Sequence, residues 1–198
     1  MRTEWLRLGA ALAIAIVSAC RTTPPVPVAG AAWDERRPEL QARSHFELKG
    51  RVAVAAGNEG FNANLHWTQD GPRSLVTLEG PLGVGGAQVT ATGQDLTLVT
   101  SRGERMDSGA AHAALEERLG FDPPLSSLRY WVLGVPDPGS PSTEAVDAQT
   151  QRLSGLTQAG WHIDYTAYSA VGSQSLPSRL TLQRDAVRVR LLVDDWQL

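Results

Sequence analysis

Four histidines, one cysteine and no repeated spacing among them bound the chemistry open to this chain. His45, His66, His112 and His162 are scattered, and no pair has the separation of a metal-ligand set. His162 and Asp164 fall on the polar side of an alternating stretch, where a solvated pair is the plain reading. No Gly-x-Ser-x-Gly elbow is present, so a hydrolase has no support, and the chain reads as a non-enzyme without metal or cofactor. Two residues stand out instead. Cys20 is the sole thiol, so it cannot serve a disulfide framework. Leu82 lies in "EGPLGVGGAQV", residues 79–89, where Pro81 and Gly83 favour a tight turn, type I by preference. That places a leucine at the tip, where Asn, Asp, Gly or Ser is usual. No Lys or Ser/Thr follows the glycines as a phosphate loop requires. The bland alternative is a leucine folded back on its own sheet, or an ordinary surface leucine.

The N-terminus accounts for the thiol. In "MRTEWLRLGAALAIAIVSAC", Arg2 and Arg7 precede an apolar run of about ten residues. Such a run is too short for a bilayer span but fits a secretory signal. "VSAC" resembles the lipobox of bacterial lipoproteins, in which the cysteine becomes the first mature residue, bearing an S-diacylglycerol and an N-acyl chain. The alternative is an ordinary signal peptide cut after Ala19 or elsewhere. "RTTPPVPVAGAA" after Cys20 is Pro/Ala/Thr-rich, cannot form a core and serves as a tether. The expected organisation is a signal peptide over 1–19, an acylated cysteine and tether over 20–32, and one domain over 33–198. Position 21 is Arg, not the Asp that retains such proteins in the inner membrane, which implies the inner leaflet of the outer membrane, facing the periplasm. Without Arg2, Arg7 and Glu4, the 18 basic and 21 acidic residues become 16 and 20, a net charge of −4. That balance gives no support for nucleic-acid binding.

The elements that must position Leu82 are mostly strands. After a short lead-in helix within 31–45, where Pro38 must sit near the first turn or break it, "FELKGRVAV" alternates Phe46, Leu48, Gly50, Val52 and Val54 against Glu47, Lys49 and Arg51. "GFNANLHWTQ" sets Phe61, Ala63, Leu65 and Trp67 against polar residues, and "SLVTLEG", "GAQVTATG" and "DLTLVTS" continue between tight turns. This is the pattern of an antiparallel meander with one apolar face. Two helices follow: "DSGAAHAALEERLG", with Ser108 as N-cap and Gly120 as stop, and "DPPLSSLRYWVLGVP", ending at Gly134. Residues 135–148 read as a long mobile loop. Strands resume with "QRLSGLTQ", "GWHIDYTAYS", "PSRLTLQRD" and "AVRVRLLVDDWQL". A sheet this long curls. It closes as a filled barrel, or stays open with its concave face covered by the two helices; periodicity leaves both standing.

"GRVAV", "GPLGVGG", "LSSLRYWVLGVP", "WHIDY", "LPSRLTL" and "DDW", in that order behind a lipobox, resemble the LolB family of outer-membrane lipoprotein receptors from about residue 33 to the end. The resemblance implies a mainly β fold with helices: an unclosed antiparallel β-barrel, its opening covered by short helices, around an apolar cavity. It implies an activity as well, taking acylated lipoproteins from the soluble periplasmic carrier LolA and placing them in the outer membrane, without nucleotide or metal. Implied partners are that carrier, the acyl chains of cargo and outer-membrane phospholipid, with the protein acting as a monomer. One exposed 16-carbon chain costs roughly 12 kcal/mol at about 0.8 kcal/mol per methylene, so cargo must pass between apolar hollows. Strand parity then nominates Phe46, Val52, Phe61, Leu65, Trp67, Val76, Leu78, Trp161, Ile163 and Leu191 as lining, with Leu128 and Trp131 from the cover; ordinary core packing is the alternative for each. In the family a leucine in the corresponding Pro-Leu-Gly loop promotes transfer into the membrane, the role implied for Leu82 between Pro81 and Gly83. Arg188 and Arg190 alternate outward, as solubilising charges or as contacts for an acidic carrier rim. Two rivals remain: a non-transporting structural lipoprotein with a filled interior, and a lipid-processing enzyme, for which no nucleophile–base pair is found.

Overall fold

The computed structural model describes residues 32–80 and 85–198. Helix α1 (Trp33–Gln41) leads into β1 (His45–Ala56), β2 (Glu59–Asp70), β3 (Arg73–Glu79), β4 (Gly86–Thr92), β5 (Asp95–Thr100) and the short β6 (Arg105–Asp107). Helices α2 (Ser108–Leu119) and α3 (Leu125–Trp131) follow, then β7 (Ser142–Asp147), β8 (Arg152–Gln158), β9 (Trp161–Val171), β10 (Gln174–Arg184) and β11 (Val187–Gln197).

All eleven strands belong to one antiparallel sheet, ordered β6-β5-β4-β3-β2-β1-β11-β10-β9-β8-β7. The meander runs outward from β1 to one edge. The chain then crosses to the far edge and returns, so that β11 pairs with β1 in mid-sheet, Val54 opposite Val189. Edge strands β6 and β7 do not pair with each other, and the barrel is unclosed. The crossing segment consists of α2, α3 and their link, so topology alone lays these helices across the concave opening.

Alternation fixes which face is concave. Along β1, Phe46, Leu48, Gly50 and Val54 are buried while Lys49, Arg51 and Ala55 are exposed. Along β9, Trp161, Ile163 and Tyr165 are buried on the same inner face. The register between β1 and β11 slips at Lys49/Gly50. At that bulge a Cβ on Gly50 would collide with the Leu192 carbonyl oxygen, so only glycine lets the two backbones approach.

The expectation that Pro38 sits in the first turn or breaks the helix is corrected: it lies inside α1, which runs on to Gln41. Tertiary bonds hold it: the buried Arg36 guanidinium donates to the carbonyls of Gln151 and Ser175, both at 2.9 Å, and Trp33 Nε1 donates to Glu144 at 3.0 Å. These partners sit where β7 meets β8 and where β10 begins, so α1 caps one end of the sheet.

Two further expectations are corrected. The N-cap of α2 is Asp107, not Ser108, which is the first helical residue at φ 46. Neither supplies a side-chain cap; the Asp107 carboxylate is held by Thr97 Oγ1 at 2.6 Å and Arg105 instead. Residues 135–148 are not a mobile loop: residues 132–136 are buried and Ser142–Asp147 form the edge strand β7.

Candidate functional site

The residues under the cover are apolar throughout. From the sheet, Val52, Val54, Phe61, Leu65, Trp67, Val76, Leu78, Val89, Trp161, Leu182, Val189 and Leu191 face a common hollow. From the crossing segment come Leu115 and Leu119 of α2, Phe121, Pro123 and Pro124 of the link, and Leu125, Leu128 and Val132. The cavity they enclose has a volume of about 120 Å³. None of these side chains carries a charge; what the hollow offers is hydrocarbon surface.

Nine nominated residues lie on this wall: Val52, Phe61, Leu65, Trp67, Val76, Leu78, Leu128, Trp161 and Leu191. Three do not. Phe46 is drawn into an aromatic cluster, 5.9 Å from Trp67 and 5.7 Å from Trp196 between ring centres. Trp131 is turned away by its indole, which donates to Gln158 Oε1 at 2.8 Å. Ile163 is fully buried, in register with Leu156 and Leu182. Sequence reading missed Val54, Val89, Leu182 and Val189, although each continues a legible alternation. It also missed Phe121, Pro123 and Pro124, which no period announces because the backbone there is irregular.

The two halves of the cover are held differently. The α3 side is pinned by Gln158, which satisfies all its hydrogen-bonding capacity while 2% exposed. Its Oε1 accepts from Trp131 Nε1 and the Asp137 amide at 2.9 Å, and its Nε2 donates to the carbonyls of Asp137 and Ser140, both at 2.8 Å. Tyr165 Oη adds a donor bond to the Trp131 carbonyl at 2.9 Å. Burial pushes the Tyr165 and Tyr168 phenols well above the usual tyrosine range. By contrast α2 buries only Ala111 and Leu115. It ends at Gly120, whose left-handed φ of 77 lets the chain turn down beside Ala56.

Several wall residues are only half-buried, among them Phe61, Leu78, Leu119 and Leu125. Leu78 is the last inward residue before the β3–β4 connection, whose base is closed by the Gly80 amide donating to the Gly85 carbonyl at 3.2 Å. Pro81, Leu82 and Gly83 lie in that connection but outside the described residues, as does Cys20. A second hollow, on the convex face, is larger, about 710 Å³, but it is open and bordered by Arg51, Arg179 and Arg190. Guanidinium groups at its border make it the poorer fit for hydrocarbon.

The histidines are surface groups, each within reach of one carboxylate: His45 with Asp70, His66 with Glu47, His112 with Asp122 and His162 with Asp164. Among the described residues no cluster of three potential ligands could hold a metal ion.

Residues 44–196 match the family described as outer membrane lipoprotein LolB. The outer-membrane lipoprotein LolB of Nitrosococcus oceani is 34% identical over 98% of this chain and 99% of its own length. That of Alkalilimnicola ehrlichii is 34% identical over 96% and 95%. Among solved structures, a LolA superfamily protein from Nitrosomonas europaea aligns with a TM-score of 0.53 at 11% identity, over 85% of this chain and 94% of its own. A DUF1329 family protein from Desulfovibrio piger aligns at 0.58 and 9% identity, over 83% and 90%. At such identities these two speak for the shared fold alone.

Proposed function

Since the chain belongs to the LolB family of outer-membrane lipoproteins, we propose that it is the receptor that accepts acylated lipoproteins from a soluble periplasmic carrier and inserts them into the outer membrane. The observation that carries this reading is the wholly apolar cavity, roofed by the crossing helices. A fatty chain moved from water into such a hollow gains about 0.8 kcal/mol per buried methylene. No catalytic step is needed, because the chain moves from one apolar environment to the next.

The magnitude of the cavity constrains the mechanism. About 120 Å³ is less than the roughly 150 Å³ that accommodates a single benzene ring. A fatty chain therefore enters by displacing part of the cover, and α2 with its link is the part that yields, because α3 is tied down by Gln158 and Tyr165. Leu82 dips into the acyl boundary of the membrane at the mouth, giving the chain an apolar path out. Cys20 carries the lipid anchor, residues 1–19 are the removed signal, and residues 20–32 tether a monomeric domain to the inner leaflet, facing the periplasm.

The test is a transfer assay. The protein without its acyl anchor is mixed with carrier loaded with a lipoprotein, and cargo is expected to move onto it and then into liposomes. The small cavity is also what favours the runner-up, a structural lipoprotein with a filled interior. Under that reading cargo stays on the carrier, and tryptophan fluorescence does not respond to fatty acid.

A further inference from the structure

The outer face of the central strands is basic where their inner face is apolar. Arg51, Arg179 and Arg190 border the open hollow of about 710 Å³ on that convex face. Register sets their arrangement. In one row Leu192 of β11 stands between Arg51 of β1 and Arg179 of β10. In the next row Arg190 of β11 stands between the short side chains of Ala53 and Thr181. Arg51 and Arg179 are therefore two strands apart, about 10 Å at the usual strand spacing.

The three charges are not equally engaged. Arg51 donates to both carboxylate oxygens of Asp194, at 2.8 and 3.1 Å. Arg179 and Arg190 are exposed, and among the described residues neither has a carboxylate within ion-pair distance. No acidic residue lines the hollow. The chain as a whole carries a net charge of −3, so the positive excess is a property of this face and not of the molecule.

The exposure of the guanidinium groups narrows the ligand. Water screens a single ion pair at such a position to little net gain, which disfavours one small anion. A surface bearing many anions gains at every arginine together, about fivefold in partition for each basic residue brought to an anionic bilayer. The family is one of outer-membrane lipoproteins, so a bilayer is the surface at hand.

We propose that the convex face docks on the anionic phospholipid surface of the membrane, with Arg179 and Arg190 contacting lipid phosphates. The cover helices lie over the opposite, concave face, so docking turns the apolar cavity away from the bilayer, where a soluble carrier can reach it. Delivery through the 80–85 connection then requires the domain to turn on its tether. The docking face rests on the family's membrane location; its use in presenting the cavity rests on the receptor function proposed above.

The test is flotation of the protein, without its acyl anchor, on lipid vesicles. The native protein is expected to bind vesicles of phosphatidylethanolamine with phosphatidylglycerol, to bind phosphatidylcholine vesicles less, and to dissociate as salt rises. Arg179→Gln combined with Arg190→Gln should lower the partition about 25-fold. Arg102→Gln combined with Arg118→Gln changes the net charge equally, at exposed positions after β5 and on α2, and should bind as the native protein does. An equal loss in both double variants, or no loss in the first, overturns the proposal. Displacement by inorganic phosphate, but not by chloride of equal ionic strength, marks a discrete anion site and overturns it too. If the Arg179 and Arg190 variant floats normally but no longer binds the carrier, the face belongs to an acidic protein and the proposal falls. Vesicle binding without cargo transfer keeps the docking face and removes the receptor function; transfer without vesicle binding does the reverse.

Discussion

Leu82 and Gln158 are single residues on which different properties depend. Under the insertion role proposed for Leu82, replacing it by glutamate puts a charge where the side chain enters the acyl boundary, at a cost of several kcal/mol for an unpaired carboxylate. The Leu82→Glu protein should fold, accept cargo from the carrier and fail to release it into liposomes; normal release would dismiss the insertion role. Gln158→Leu nearly preserves volume but leaves the Trp131 indole, the Asp137 amide and two carbonyls without their partner. At about 1–3 kcal/mol per stranded group, with incomplete additivity, urea denaturation should report a loss of roughly 3–5 kcal/mol. A loss below about 1 kcal/mol would mean that water takes the glutamine's place. Gln158 was invisible in the sequence because a buried glutamine looks like any polar residue at a strand end. Phe61, Leu65 and Trp67 were legible because strand parity assigns them a face. Parity gives no depth, and for that reason Phe46 and Ile163 were placed on a wall they do not form.

Among elements, β7 shows where pattern reading stops. Ser142–Asp147 has one large apolar side chain, Val146, because an edge strand over a polar rim needs no more. The two cover helices were legible from their stops at Gly120 and Gly134, but not the unequal hold on them, which depends on β8 and β9 side chains far along the chain. Tyr165, bonded to the Trp131 carbonyl, and Tyr168, bonded to the Leu153 carbonyl of β8, make the packing beneath the cover dependent on pH. Their folded-state pKa values are raised by burial, so their contribution is complete below the unfolded tyrosine value near 10 and declines as pH climbs above it. Phenolate absorbance from these two should appear together with the loss of circular dichroism in an alkaline titration. Ionisation of all three tyrosines while the fold persists would contradict it.

The whole molecule has two functional ends. α1 caps the end where β1 begins, and Gly80 and Gly85 flank the connection at the other, so the proposed anchor and the proposed insertion leucine belong to segments that join opposite ends of the sheet. β1 has 12 residues, which at about 3.3 Å each is roughly 40 Å. The proposed tether, residues 20–32, would cover about the same distance fully stretched. Deleting half of the tether should therefore leave carrier binding intact while delivery into the anchoring membrane drops sharply. Unchanged delivery would mean that the tip need not touch that membrane. The seam between β1 and β11 governs timing as well as shape. The first strand of the sheet has no partner on one side until β11 arrives, and such distant pairing is slow. A protein exported as a thread cannot close that seam before β11 has come through. Halting synthesis before Val187 would strand β1 with a bare edge, a product for periplasmic proteases instead of a receptor.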